Sequence, residues 1–270
     1  MNKFLLVPVI VLVVSLLVGV ALISMSGTFY GGKIAVLRIK GTITSSSSIL
    51  EQTVSPEAIF PLIDKIESDP SIKGALIEID SPGGSVVASR EIAMAVRDMK
   101  KPTVCWMGDI AASGAYWIAS TCDTIIADPL TLTGSVGVTA SYLQFVGTME
   151  KYGVGYERFV SGENKDAGSP FRNLTDEERQ GMSRLVNETF SFFLEDVRSN
   201  RQLSDSEIDA IKSGDVFLGK DAINLGLVDE LGTWQDAKNR IMNVTGLPEA
   251  EFVEMQKSGF SLLDLLSAFG

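Results

Sequence analysis

The 270 residues contain no histidine. That absence removes every Ser-His-Asp and Cys-His catalytic arrangement from within the chain. It removes His-based metal sites as well, and nothing else in the sequence asks for a metal or an organic cofactor. A hydrolase built on this chain must take its base from Lys, Asp, Glu or Tyr. Cysteine is scarce, with Cys105 and Cys122 as the two, too few for a disulfide scaffold or a four-cysteine zinc site. Both stand in apolar surroundings, and two small buried core residues are the preferred reading over a disulfide. Positive charge is also in short supply. Lys and Arg number 23 against 34 Asp and Glu, a formal net charge of −11. So acidic a chain argues against nucleic acid as a partner.

What the sequence has in excess comes first in the chain. Phe4 to Met25 is almost wholly apolar and carries no charge. The run is long enough to cross a bilayer as a helix, and longer than the apolar core of about 7–15 residues in a cleavable signal peptide. An uncleaved anchor over 4–25 is therefore expected. Lys3 and the amino terminus favour a cytoplasmic residue 1–3 segment, which places the remaining chain outside the cytoplasm. Residues 26–32 read as a linker, 33–245 as the globular domain and 246–270 as a tail. The tail stretch Phe260 to Leu266 is amphipathic, suited to a membrane surface, a neighbour or a substrate groove.

The globular part alternates strand and helix signals, which implies an α/β fold with parallel pairing. Ile34 to Ile39, Ala75 to Ile79, Thr103 to Met107 and Thr124 to Ala127 read as strands. Pro56 to Glu67, Val86 to Met99, Ser113 to Thr121 and Ser141 to Tyr152 read as helices. Thr175 to Arg198 reads as a long helix opened by a Thr175/Glu178 capping box. Tyr156 to Val160 reads as a strand that opens into the polar loop Ser161 to Pro170.

Three glycine-containing turns follow strand candidates: Ser81 to Ser85, Gly108 to Gly114, and Gly134 to Gly137. In an open α/β sheet, sites form outside the carboxyl ends of the strands. Ser113 sits where a strand gives way to a helix. A serine there can attack a carbonyl while the Gly84 and Gly114 N–H groups hold the developing oxyanion. The plainer alternative is that Ser113 caps a helix and that Pro82-Gly83-Gly84 is a tight connection. For the base, most lysines lie on solvated helical faces. Lys165 lies in the loop after the Tyr156 strand, and Lys40, at a strand end, is its competitor. A lysine base must be neutral, so the carboxylates of Glu163 and Asp166 must point away from Lys165.

The chain resembles the signal peptide peptidase A family in its short form, the membrane-anchored serine proteases of the ClpP/crotonase fold group. The resemblance runs from about Ile34 to Asn239. It is carried by Asp80-Ser81-Pro82-Gly83-Gly84, by Ala111-Ala112-Ser113-Gly114 with Tyr116, and by Thr131 to Val138. Ser161-Gly162 through Lys165-Asp166 to Ser169-Pro170, and Leu225 to Gly232, complete it in order. Ala115 stands where many relatives have a second glycine. The resemblance implies a ClpP/crotonase-like repeated ββα core behind an N-terminal transmembrane helix. It implies Ser113 as nucleophile, Lys165 as general base, Ser135 as the hydroxyl that orients the lysine, and Gly84 and Gly114 as the oxyanion hole. It also implies a homo-oligomer in which the lysine can complete a neighbour's site.

The expectation is a membrane-anchored Ser-Lys endopeptidase of the cell membrane that degrades remnant signal peptides. The rivals are a membrane protease that cuts one specific partner protein, a catalytically silent scaffold, and an acyl-CoA enzyme of the crotonase kind.

Overall fold

The computed structural model describes residues 14–15, 31–46 and 52–255. The Phe4 to Met25 run, apart from Val14 and Ser15, and the Phe260 to Leu266 stretch lie outside the described residues. Among the described residues no helix is long and apolar enough to cross a membrane.

A parallel sheet organises the domain. Its spine is β1 (Lys33–Lys40), β4 (Ile72–Ser81), β5 (Thr103–Ala112) and β6 (Thr124–Ala127), in that spatial order. The short strands β10 (Glu251–Glu254) and β9 (Glu230–Leu231) flank it, β2 (Thr42–Ile43) and β3 (Thr53–Val54) pair with each other, and β8 (Val216–Leu218) runs antiparallel to residues 132–134. These strands read as near-continuous apolar runs because both faces are covered. Ile34, Leu76, Val104 and Ile126 turn to one face, where they meet Ala237 and Ile241 of a C-terminal helix, Trp234–Thr245. Their neighbours Leu37, Ile77, Cys105 and Ile125 turn to the other face. There the helices α1 (Pro56–Ser68), α2 (Val86–Arg97), α3 (Gly114–Ala119) and the long helix α5 (Asp176–Arg201) pack, with α4 (Val146–Lys151) set apart from the sheet. Ile59, Ile63 and Ile66 of α1 are buried at helical spacing. Each such side chain contributes about 1.5–3 kcal/mol by leaving water. The Thr175/Glu178 capping box of α5 forms as expected.

Strand β5 outlasts its sequence signal. It does not end at Met107 but continues to Ala112. Its first half pairs β6, and residues Ile110 to Ala112 pair β7 (Leu132–Gly134) instead. Between Ile79↔Met107 and Ser81↔Ala111 the register shifts, so Gly108, Asp109 and Ile110 bulge. Thr131 Oγ1 donates to the Gly108 carbonyl at 2.8 Å, and Thr133 Oγ1 donates to that of Ala111 at 2.8 Å. These buried hydroxyls hold the bulge against β7.

Three expectations are corrected. Cys105 and Cys122 are both buried, but they form a disulfide. The bend from β5 through α3 brings their Cα atoms to 5.9 Å, inside bridging range. Tyr156 to Val160 forms no strand, because no neighbouring strand is present within the described residues to satisfy its backbone. The helix expected over Ser141 to Tyr152 is confined to Val146–Lys151. The stretch 138–172 is instead largely exposed and carries Tyr142, Leu143, Phe145, Tyr152, Tyr156, Phe159, Val160 and Phe171 on its surface. Beyond Gly246, β10 pairs β1 in parallel, Glu251 opposite Lys33 and Glu254 opposite Val36.

Candidate active site

The three glycine turns meet at the carboxyl end of the sheet. Ser113 directly follows β5, with φ 55° and ψ −125°, a conformation that costs a non-glycine residue about 1–3 kcal/mol. Ser135 is also at positive φ, 50°. Its turn is locked to the first: the Ser113 amide donates to Gly134 O at 2.9 Å, and the Ser135 amide to Asp215 O at 2.7 Å.

Glycine is required at the crossing of these backbones. A Cβ on Gly83 would stand 2.7 Å from Gly114 N, and one on Gly84 2.0 Å from Ile43 O. Gly84 bridges Ile43 through its neighbours, Ile43 N to Gly83 O and Ser85 N to Ile43 O. Its own N–H is left outside that bridge. Gly114 opens α3, so its amide has no intrahelical acceptor. Ser113, Gly84 and Gly114 line one pocket of about 100 Å³ with Ser89, Trp117 and Phe193. Its apolar wall is fixed from two sides. The Trp117 ring stacks on Phe193 with centroids 4.4 Å apart, and its Nε1 donates to Asp196 at 3.1 Å. Ser89, and the pairing of Trp117 with Phe193, escape the sequence. Nothing local marks them, since α5 lies some 75 residues further along the chain from Trp117.

The structure thus brings Ser113, Gly84, Gly114 and the Ser135 turn together. It does not bring Lys165 to them. Lys165 is exposed, in the turns that follow Gly162, and no hydrogen bond among the described residues joins it to Ser113 or Ser135. Its neighbour Asp166 is spoken for. Arg158 and Arg172 both donate to that carboxylate, at 2.7–3.0 Å, and Arg172 also bonds Glu178 of the capping box. The Arg172 and Arg158 hydrogen bonds hold Asp166 well below the usual carboxylate range. Arg172, with the Thr175 amide, lowers Glu178 to about 2. The competitor Lys40 is engaged elsewhere, 2.5 Å from the buried carboxylate of Glu78.

Among the described residues, no group of three His, Cys, Asp or Glu side chains is placed to hold a metal ion.

Comparison with known proteins gives the family. The profile of peptidase family S49 matches residues 95–247. Protease 4 of Haemophilus influenzae is 37% identical over 77% of this chain and 34% of its own length. An Enterococcus faecium protein with the provisional name signal peptide peptidase SppA is 31% identical over 85% of this chain and 69% of its own. The chloroplastic serine protease SPPA of Arabidopsis thaliana is 32% identical over 89% and 37%. The chain therefore spans only about a third of the first and last of these relatives. Among solved structures, a serine-to-alanine mutant of the 1510-N membrane-bound stomatin-specific protease superposes with a TM-score of 0.55. It covers 85% of this chain and all of that one at 16% identity, which speaks to the fold. The chain belongs to peptidase family S49, a family of serine proteases.

Proposed function

We propose that the protein is a membrane-anchored serine endopeptidase that degrades signal peptides after their release. Ser113 attacks the scissile carbonyl, and the Gly84 and Gly114 amides stabilise the oxyanion. Neutral Lys165, oriented by Ser135, takes the serine proton and returns it to the leaving amine. Water then hydrolyses the acyl-enzyme. The observation that carries the reading is the strained Ser113 backbone beside two glycine amides at one pocket. The ClpP/crotonase assignment fits the parallel sheet with the site at its carboxyl edge.

Lys165 reaches Ser113 by assembly. Its loop belongs to the exposed stretch 138–172, whose uncovered aromatic and aliphatic side chains suit a second copy of this chain. A homo-oligomer seats that stretch on its neighbour and completes the neighbour's dyad. The Phe4 to Met25 run anchors the chain, with the domain outside the cytoplasm. The Cys105–Cys122 disulfide supports that side of the membrane, since disulfides persist in oxidising compartments.

The test mixes inactive Ser113→Ala and inactive Lys165→Ala subunits, refolded together, with a released signal peptide and a folded membrane protein as alternative substrates. Recovered cleavage of the peptide supports shared sites and this substrate class. A mixed oligomer without recovery means that each chain builds its own site. Cleavage of the folded protein alone overturns the substrate class.

A further inference from the structure

Ser89 presents a feature that the proposed mechanism does not use. It lies on α2 and is fully buried, and its Oγ has no hydrogen-bond partner among the described residues. A buried hydroxyl without a partner forfeits its hydration, so native proteins rarely keep one without a use. This hydroxyl lies in the wall of the Ser113 pocket, directly against Gly114: a Cβ on Gly114 would stand 2.2 Å from Ser89 Oγ and 3.5 Å from Gly84 N. Around it the pocket is lined by the apolar side chains of Val86, Trp117, Val138 and Phe193.

The position decides which part of a substrate it meets. With the scissile carbonyl held between the Gly84 and Gly114 amides, the side chain on that same residue enters this pocket. The volume of about 100 Å³ takes a small side chain. We infer that Ser89 is a specificity-determining residue, whose hydroxyl selects a small hydroxyl-bearing side chain, serine above all, immediately before the cut. A serine there gives Ser89 Oγ its missing partner. An apolar side chain of the same size leaves the hydroxyl orphaned. A site built to hydrogen-bond a substrate hydroxyl rejects the analogue that lacks it far better than an apolar pocket rejects a missing methylene.

The inference rests on Ser113 as the nucleophile, and the experiment separates the two. Quenched fluorescent peptides differ only in the residue before the cut: serine, or its methyl isostere α-aminobutyrate. The full chain is expected to cleave the serine peptide with about tenfold higher kcat/KM. Ser89→Ala brings that ratio close to one without lowering Tm, because it removes a hydroxyl that has no partner. A merely structural hydroxyl would lower Tm and leave the ratio intact. Ser89→Cys, which keeps the shape with a poorer hydrogen-bonding group, is expected to fall between and serves if the alanine variant does not fold. A wild-type ratio near one, or a ratio unchanged in either variant, overturns the role of Ser89 while Ser113→Ala remains inactive. Cleavage by Ser113→Ala overturns both readings.

Discussion

The amide of Ser113 donates to the carbonyl of Gly134 at 2.9 Å, so the turn after β7 fixes the backbone that carries the candidate nucleophile. The bond also places Ser135, the next residue, beside Ser113. Two of the three non-glycine residues at positive φ among those described are this pair. Strain of this kind persists only where the surrounding structure over-determines it. Here the bulge in β5, the Thr131 and Thr133 hydroxyls and the Gly83 crossing do so.

That strain gives a first prediction. Ser113→Gly should abolish peptide cleavage and yet fold more stably, by about 1 kcal/mol, because glycine adopts φ 55° freely. Calorimetry should show Tm raised by about 2–4 °C for a domain of this size. Ser113→Ala should be equally inactive without the gain. Cleavage by either variant would remove Ser113 from the mechanism.

The two lysines should respond differently. Lys165→Ala and Lys165→Arg should both be inactive, since a guanidinium stays charged and cannot accept the serine proton. Lys40→Ala should keep its activity and lose stability instead, because it strips a partner from buried Glu78. Full activity in Lys165→Arg, or an inactive but folded Lys40→Ala, would reverse the assignment.

The loop that carries Lys165 should loosen in acid. Asp166 and Glu178 are held below their ordinary values of 3.8 and 4.5, so folding favours their charged forms. Their contribution is complete above about pH 4.5 and is lost as pH falls toward about 2. Amide hydrogen exchange over residues 162–170 should accelerate through that window. Arg172→Gln should produce the same acceleration at neutral pH, because it removes the donor shared by both carboxylates. Exchange that stays slow in the variant would mean that the ion cluster does not hold the loop.

Reduction should weaken the domain. The Cys105–Cys122 bond closes a 17-residue separation, for which chain entropy gives about 3 kcal/mol. The double variant Cys105→Ala, Cys122→Ala should melt about 6–12 °C lower than the oxidised protein, with the wild type in reductant falling by a similar amount. An unchanged Tm on reduction would argue that the two thiols are free.

Sequence reading served best where one local rule decides the outcome. The apolar runs of β1, β4 and β6 and the capping box at Thr175 needed no tertiary information. The glycine turns were legible because a Cβ at Gly83 or Gly84 has nowhere to go. What escaped depends on contacts distant in sequence. The extension of β5 to Ala112 exists because β7 lies alongside it. The disulfide exists because α3 folds back. The wall of the pocket joins Ser89 and Trp117 to Phe193 of α5, which no spacing rule connects. The apolar signal at Tyr156 to Val160 was real, but these residues present themselves at the surface without a strand partner.

The bulge in β5 has a parity. From Ile79 to Ser81, β4 advances two residues, while β5 advances four, from Met107 to Ala111. Two residues are inserted, and side chains alternate across a sheet with a period of two. Ala111 therefore faces the same core as Met107 and Cys105, and the insertion carries Ser113 outward without turning it over. Chain length here is quantised: removal of a single residue between Gly108 and Ile110 inverts the face of everything as far as Ser113, whereas removal of two restores the faces and draws the serine back from the rim.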